Sequence, residues 1–73
     1  MTVVTQSRIR AEFTGWSGMT LFEFDNGQAW RQARYQYFYR YRYRPKAKVI
    51  REGGRHFLEI DGIDRRIEVR RER

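Results

Sequence analysis

All five tyrosines of the chain fall at alternate positions: Tyr35, Tyr37, Tyr39, Tyr41 and Tyr43. Between and around them stand Arg34, Gln36, Phe38, Arg40, Arg42 and Arg44. In an extended chain successive side chains point to opposite faces, so this spacing sets the phenols on one side and the guanidinium groups on the other. Aromatic rings stack on nucleobases of any identity, at about 1–3 kcal/mol per base, and cationic groups pair with phosphates. Arginine suits such a surface better than lysine, because its planar group both stacks and binds phosphate in bidentate fashion. The candidate nucleic-acid interface is therefore Arg31, Arg34, Tyr35, Tyr37, Tyr39, Arg40, Tyr41, Arg42, Tyr43, Arg44, Lys46 and Lys48. Its expected ligand is single-stranded nucleic acid or another polyanion. The same residue types also make protein interfaces and cross-strand aromatic packing. The alternative is thus a protein–protein interaction or homo-oligomerisation module that uses the Tyr face.

No other residues offer a reactive constellation. His56 is the single histidine, on the apolar side of an alternating segment, where it reads as a structural residue. A metal site needs several His, Cys or carboxylate ligands, and none cluster around it in sequence. Ser7 and Ser17 lack a neighbouring histidine and a nucleophile elbow. Glu23 with Asp25, and Asp61 with Asp64, resemble carboxylate pairs but lie at turns, where Asp is favoured anyway. Gly15, Gly18, Gly53 and Gly54 lead into no helix, so they form no phosphate loop. The expectation is a binding module without catalytic residues, cofactor or metal. An enzyme assembled by oligomerising a small barrel around a shared pore is a third reading.

Charge singles out the same stretch. The chain carries a net +7, yet between Asn26 and Arg51 there are eight basic residues and no acid. Outside that segment eight basic residues face nine acidic ones, so the whole excess is local. A concentrated patch attracts polyanions far more strongly than the same charge spread evenly. There is no cysteine, no apolar run approaching the ~20 residues of a membrane span, and no signal-peptide pattern at the start. These point to a cytoplasmic, bacterial-type protein with no membrane partner.

The elements that must position this segment read as strands. Seventy-three residues make one domain, here 1–73, with residues 1–7 expected as an N-terminal arm and 70–73 as a charged tail. Apolar residues alternate through Ile9–Phe13, Thr20–Phe24, Lys46–Glu52, His56–Ile60 and Ile67–Val69, the period of half-buried strands. Turn signals separate them: Gly15-Trp16-Ser17-Gly18, Asp25-Asn26-Gly27, Gly53-Gly54 and Asp61-Gly62. Asn26-Gly27 predicts a type I′ hairpin between antiparallel strands Met19–Phe24 and Gln28–Arg34. Pro45 should end the Tyr35–Arg44 element and hold Arg44 extended. Gln28–Arg44 has some helical spacing, but Arg34 interrupts the apolar stripe and aromatic residues favour strands, so strand or extended loop is preferred. The expected core is Ile9, Phe13, Phe22, Phe24, Trp30, Val49, Leu58, Ile60, Ile67 and Val69. The fold class is all-β, a small five- to six-stranded antiparallel SH3-like barrel.

The run Phe13-Thr14-Gly15-Trp16-Ser17-Gly18-Met19-Thr20-Leu21-Phe22-Glu23-Phe24-Asp25-Asn26-Gly27-Gln28-Ala29-Trp30 resembles a pattern in small uncharacterised bacterial β-barrel proteins, F-x-G-W-x-G-x-T-x-F-x-L-x-N-G-Q-x-W. Pro45, Val49 and Leu58–Gly62 look like its later parts. Phe24 replaces the usual Leu, and the Tyr/Arg run is foreign to the pattern. The resemblance implies a small barrel and brings no activity with it.

Overall fold

The computed structural model describes residues 2–73. It is all-β, with eight antiparallel strands: β1 (Thr2–Arg8), β2 (Glu12–Trp16), β3 (Leu21–Glu23), β4 (Ala29–Gln32), β5 (Phe38–Tyr43), β6 (Lys46–Glu52), β7 (Arg55–Ile60) and β8 (Arg66–Arg71). Six form one sheet in the order β1-β6-β7-β8-β4-β3, and β2 pairs with β5 in a separate ribbon. This corrects the expected five- to six-stranded closed barrel. The edge strands β1 and β3 run into each other only at an isolated Ile9–Phe24 bridge. That junction is flanked by Arg10 N–H to the Glu23 carbonyl at 2.8 Å and Asp25 N–H to the Arg8 carbonyl at 2.9 Å. The sheet therefore curls until its edges touch at one point, and among the described residues no ladder closes it.

Both termini are more ordered than their composition suggested. Residues 2–7 are no loose arm: β1 pairs with β6 from Thr2 opposite Arg51 to Arg8 opposite Lys46, with one irregularity near Val4. Nor is 70–73 a free tail, since β8 runs to Arg71. Ala29 N–H donates to the Arg73 carbonyl, and the Ala29 carbonyl accepts from Glu72 and Arg73, all within 3.0 Å. Charged side chains do not prevent this, because a ladder uses the backbone and leaves alternate side chains in water.

All ten expected core residues are buried, joined by Trp16, Ala29, Ala47 and Ile50. Phe13 links the ribbon to the main sheet, lying 6.3 Å from the Phe22 ring and 6.2 Å from Trp16. At about 1.5–3 kcal/mol for each fully buried large side chain, these contacts hold the ribbon against the open side of the sheet. His56 packs its ring 5.2 Å from Trp30, a structural placement.

The turns at Asp25–Gly27, Gly53-Gly54 and Asp61-Gly62 stand where expected, whereas Gly15 and Trp16 of the expected Gly15–Gly18 turn belong to β2 and the chain bends only after them; two geometries also differ. At Asp25-Asn26-Gly27 only Gly27 takes a positive φ, 89°, whereas a type I′ turn needs two such residues. The loop is instead closed by Gly27 N–H to the Phe24 carbonyl at 3.1 Å, with the Asn26 amide oxygen accepting from Gln28 N–H at 3.1 Å. This fits the three-residue hairpin loop with a left-handed final residue. The type I′ signature sits at Gly53-Gly54, φ 59° and 82°, between β6 and β7. Arg44, expected to be extended before Pro45, has φ 44°. It is the corner at which the chain leaves β5 and enters β6.

Candidate nucleic-acid interface

The tyrosines do not share one continuous strand. Tyr35 and Tyr37 lie in the connection 33–37, while Tyr39, Tyr41 and Tyr43 lie on β5. What anchors the connection is Gln32, fully buried at the end of β4. Its side-chain nitrogen donates to the carbonyls of Arg34 (2.6 Å) and Gln36 (3.1 Å), and its oxygen accepts from Thr20 N–H at 3.3 Å. A buried amide with its hydrogen bonds satisfied is a rigid post, and it fixes where the Tyr35–Tyr37 turn stands. The two rings meet edge to face with centroids 5.2 Å apart.

On β5 the regular alternation is interrupted. Tyr39 pairs with Gly15 and Arg42 with Phe13, so Arg40 and Tyr41 together face Thr14 alone. Two residues against one is a β-bulge, which re-aims side chains. Gly15 makes it possible. Its φ is 100°, and a Cβ there would run into the Phe38 carbonyl, 2.9 Å from its carbon. All five phenols lie on the outside, from 51% exposed at Tyr41 to 78% at Tyr39. Phe38 instead turns inward against Trp16, with centroids 4.7 Å apart, and guanidinium groups of Arg65 and Arg40 lie 5.3 and 5.9 Å from its ring.

Two phenols are shifted toward the protonated form. Tyr35 ionises above the ordinary value of 10.0 because of its contact with the Tyr37 hydroxyl and partial desolvation. Tyr41 is raised first by partial desolvation and then by the Glu12 carboxylate, with Tyr43 and Tyr39 adding repulsion. Both are therefore neutral hydrogen-bonding groups at physiological pH.

The cations separate into two sets. Arg31 is held by Glu72 (2.9 Å) and the Met19 carbonyl (2.9 Å), which ties it to the β3–β4–β8 surface. Arg34 pairs with Glu68 (3.3 Å), Lys48 with Glu59 (3.8 Å) and Arg44 with Asp25. Among the described residues, Arg40, Arg42 and Lys46 have no carboxylate partner. Of the candidate set, the structure thus joins the tyrosines of the connection and β5 with Arg40, Arg42, Arg44 and Lys46, and commits Arg31, Arg34 and Lys48 to carboxylates of other strands. Sequence reasoning missed Gln32, Arg65 and Arg8. Gln32 was detectable, since it stands two residues beyond Trp30 on the same strand face. Arg65 and Arg8 arrive through long-range folding and carry no local signal.

Two of the shallow depressions beside β5 bear on the candidate surface. One, of about 380 Å³, is largely apolar and lined by Trp16, Tyr37, Phe38 and Tyr39 with the hydroxyl-bearing Thr14 and Thr20. The other lies at the Arg44 corner and is basic. No group of three or more His, Cys, Asp or Glu residues is arranged to hold a metal, and no helix is long and apolar enough to cross a membrane, among the described residues. Compared with known proteins, the chain matches no family model, no curated protein and no solved structure.

Proposed function

We propose that this protein is a non-enzymatic, cytoplasmic module that binds single-stranded nucleic acid along β5 and the connection before it. The observation that carries the reading is the exposure of all five tyrosines beside Arg40, Arg42 and Lys46, cations without a carboxylate partner among the described residues. Exposed rings supply stacking platforms, and unneutralised cations supply phosphate contacts. Neutralising three phosphates gives a slope of log K against log salt of about −2 on a single strand. Fluorescence anisotropy with short labelled oligonucleotides at low and moderate salt tests this. Saturable binding with that slope, weakened about tenfold by Tyr39→Ala, is the expected result. No saturable binding at low salt overturns it.

A second reading rests on a different observation. One edge of β5 pairs with β2, and no strand covers the other among the described residues. Open edges accept further strands, so a protein-interaction or homo-oligomer module is the alternative. A salt-independent dimer in sedimentation, lost on Tyr39→Ala with Tyr41→Ala, would favour it. The likeness to small bacterial barrel proteins remains a proposal about ancestry, supported by the architectural positions of Asn26-Gly27 at a hairpin and Trp30 in the core.

A further inference from the structure

The corner between β5 and β6 gathers more positive charge than any one element supplies. A cleft of about 330 Å³ is lined there by Arg8, Arg42, Tyr43, Arg44, Lys46 and Asp61. Two stretches distant in sequence deliver its four cations: Arg8 at the end of β1, and the continuous run Arg42–Lys46 that turns from β5 into β6. Asp61 is the one carboxylate in the wall, and Asp25 engages Arg44. Four cations against two carboxylates leave the corner strongly positive.

The guanidinium groups are held in place largely by neutral partners. Arg8 Nη1 donates to the Arg44 carbonyl at 3.1 Å, and Arg42 Nη2 to the Gly62 carbonyl at 3.4 Å. A carbonyl orients a guanidinium without cancelling its charge, and each arginine keeps further N–H groups for a ligand. Arg44 Nε is buried and has no hydrogen-bond partner among the described residues. The backbone beneath is pinned as well, by Ile9 N–H to the Pro45 carbonyl and Asp61 N–H to the Lys46 carbonyl, both 2.9 Å. Arg44 itself keeps φ 44°, a strained conformation for a non-glycine residue, of the kind that concentrates at ligand clamps. By contrast, the outer face of β6–β8 is neutralised by its own row of pairs, Lys48–Glu59, Arg66–Glu59 and Arg66–Glu52.

We infer that this cleft is a phosphoryl-binding site, gripped by Arg8, Arg42, Arg44 and Lys46. The inference deepens the nucleic-acid reading and rests on it for the source of the phosphate: the strand's bases lie on the tyrosines while one phosphate seats at the corner. Bidentate arginine pairing and a point-charge lysine are the usual means of holding such a group.

The experiment has two arms on the full chain. In the first, inorganic phosphate is titrated at low salt while the arginine Nε–H signals are followed by NMR. Saturable shifts at Arg8, Arg42 and Arg44, absent at Arg55 and Arg70, are expected. Equal, non-saturating shifts at all arginines overturn the site. Arg44→Gly removes the guanidinium while relieving the positive φ, so loss of phosphate binding in that folded variant supports the assignment. In the second arm, Arg8→Gln with Arg44→Gly, which leaves Arg40, Arg42 and Lys46 of the tyrosine surface in place, is measured against oligonucleotides with and without a 5′-phosphate. A loss of tenfold or more for both marks an internal phosphodiester, and a loss confined to the phosphorylated strand marks a terminal phosphate. Unchanged affinity for both overturns the site while leaving the tyrosine surface standing. Phosphate capture with no oligonucleotide binding does the reverse.

Discussion

Gln32 and the tyrosines it serves show how single side chains set this surface. With no exposure and three hydrogen bonds, the Gln32 amide cannot be removed without stranding the carbonyls of Arg34 and Gln36 and the N–H of Thr20. Gln32→Leu should cost about 1–3 kcal/mol, read as a lower urea midpoint with unchanged slope, and should speed hydrogen exchange in residues 33–37. Alternation from Trp30 places Gln32 inward, so its burial was legible; its partners lie in an irregular turn and were not. The phenols provide a second check. Because Tyr35 and Tyr41 keep their protons above 10.0 in the folded chain, the unfolded chain ionises them first. Their contribution to stability is complete below that pH and is lost as pH rises through the folded values. Ultraviolet titration should show phenolate absorbance still growing on the alkaline side of 10.0, and Tyr41→Phe should remove amplitude from that end.

At the scale of elements, the β2–β5 ribbon is what turns a tyrosine-rich segment into a surface. It depends on Gly15, where φ 100° and the approach to Phe38 leave no room for a side chain. Gly15→Ala should destabilise the fold by roughly 3 kcal/mol, from backbone strain and lost ribbon packing, and should weaken oligonucleotide binding along with it. Calorimetry with anisotropy on the same sample checks both. Strands β3, β4, β6, β7 and β8 were readable because alternation and glycine turns are local patterns, whereas the expected strand Ile9–Phe13 bends at Arg10-Ala11 and only its end enters β2. The pairing of β2 with β5 was not readable, since Phe13 meets Arg42 across the length of β3, β4 and their loops. Turn type failed for a related reason. Asn26-Gly27 permits positive φ at both positions, but Asn26 uses its side chain to accept from Gln28 and tie to Thr5 at 2.8 Å, and only Gly27 adopts it.

For the whole molecule, composition located the positive segment correctly and could not say which charges were spent. Arg31, Arg34 and Lys48 lie in the basic segment, yet each has an acidic partner brought from another strand. The core was legible to the last residue of its expected list, because burial follows alternation. Barrel closure was not, because it depends on whether two edges form a ladder or, as at Ile9 and Phe24, a single bridge.

The strand order also carries a timetable. The β6–β7–β8 meander joins neighbours in sequence, whereas β1 must find β6 with Arg8 opposite Lys46, most of the chain away. Loop-closure entropy delays such distant pairings relative to local ones. The meander should therefore assemble first and the β1 edge last. In stopped-flow refolding, Val49→Ala and Leu58→Ala should slow folding, while Ile9→Val should chiefly quicken unfolding. The phosphoryl corner, which draws Arg8 from that last strand and Lys46 from the first sheet to form, would then be complete only when folding is.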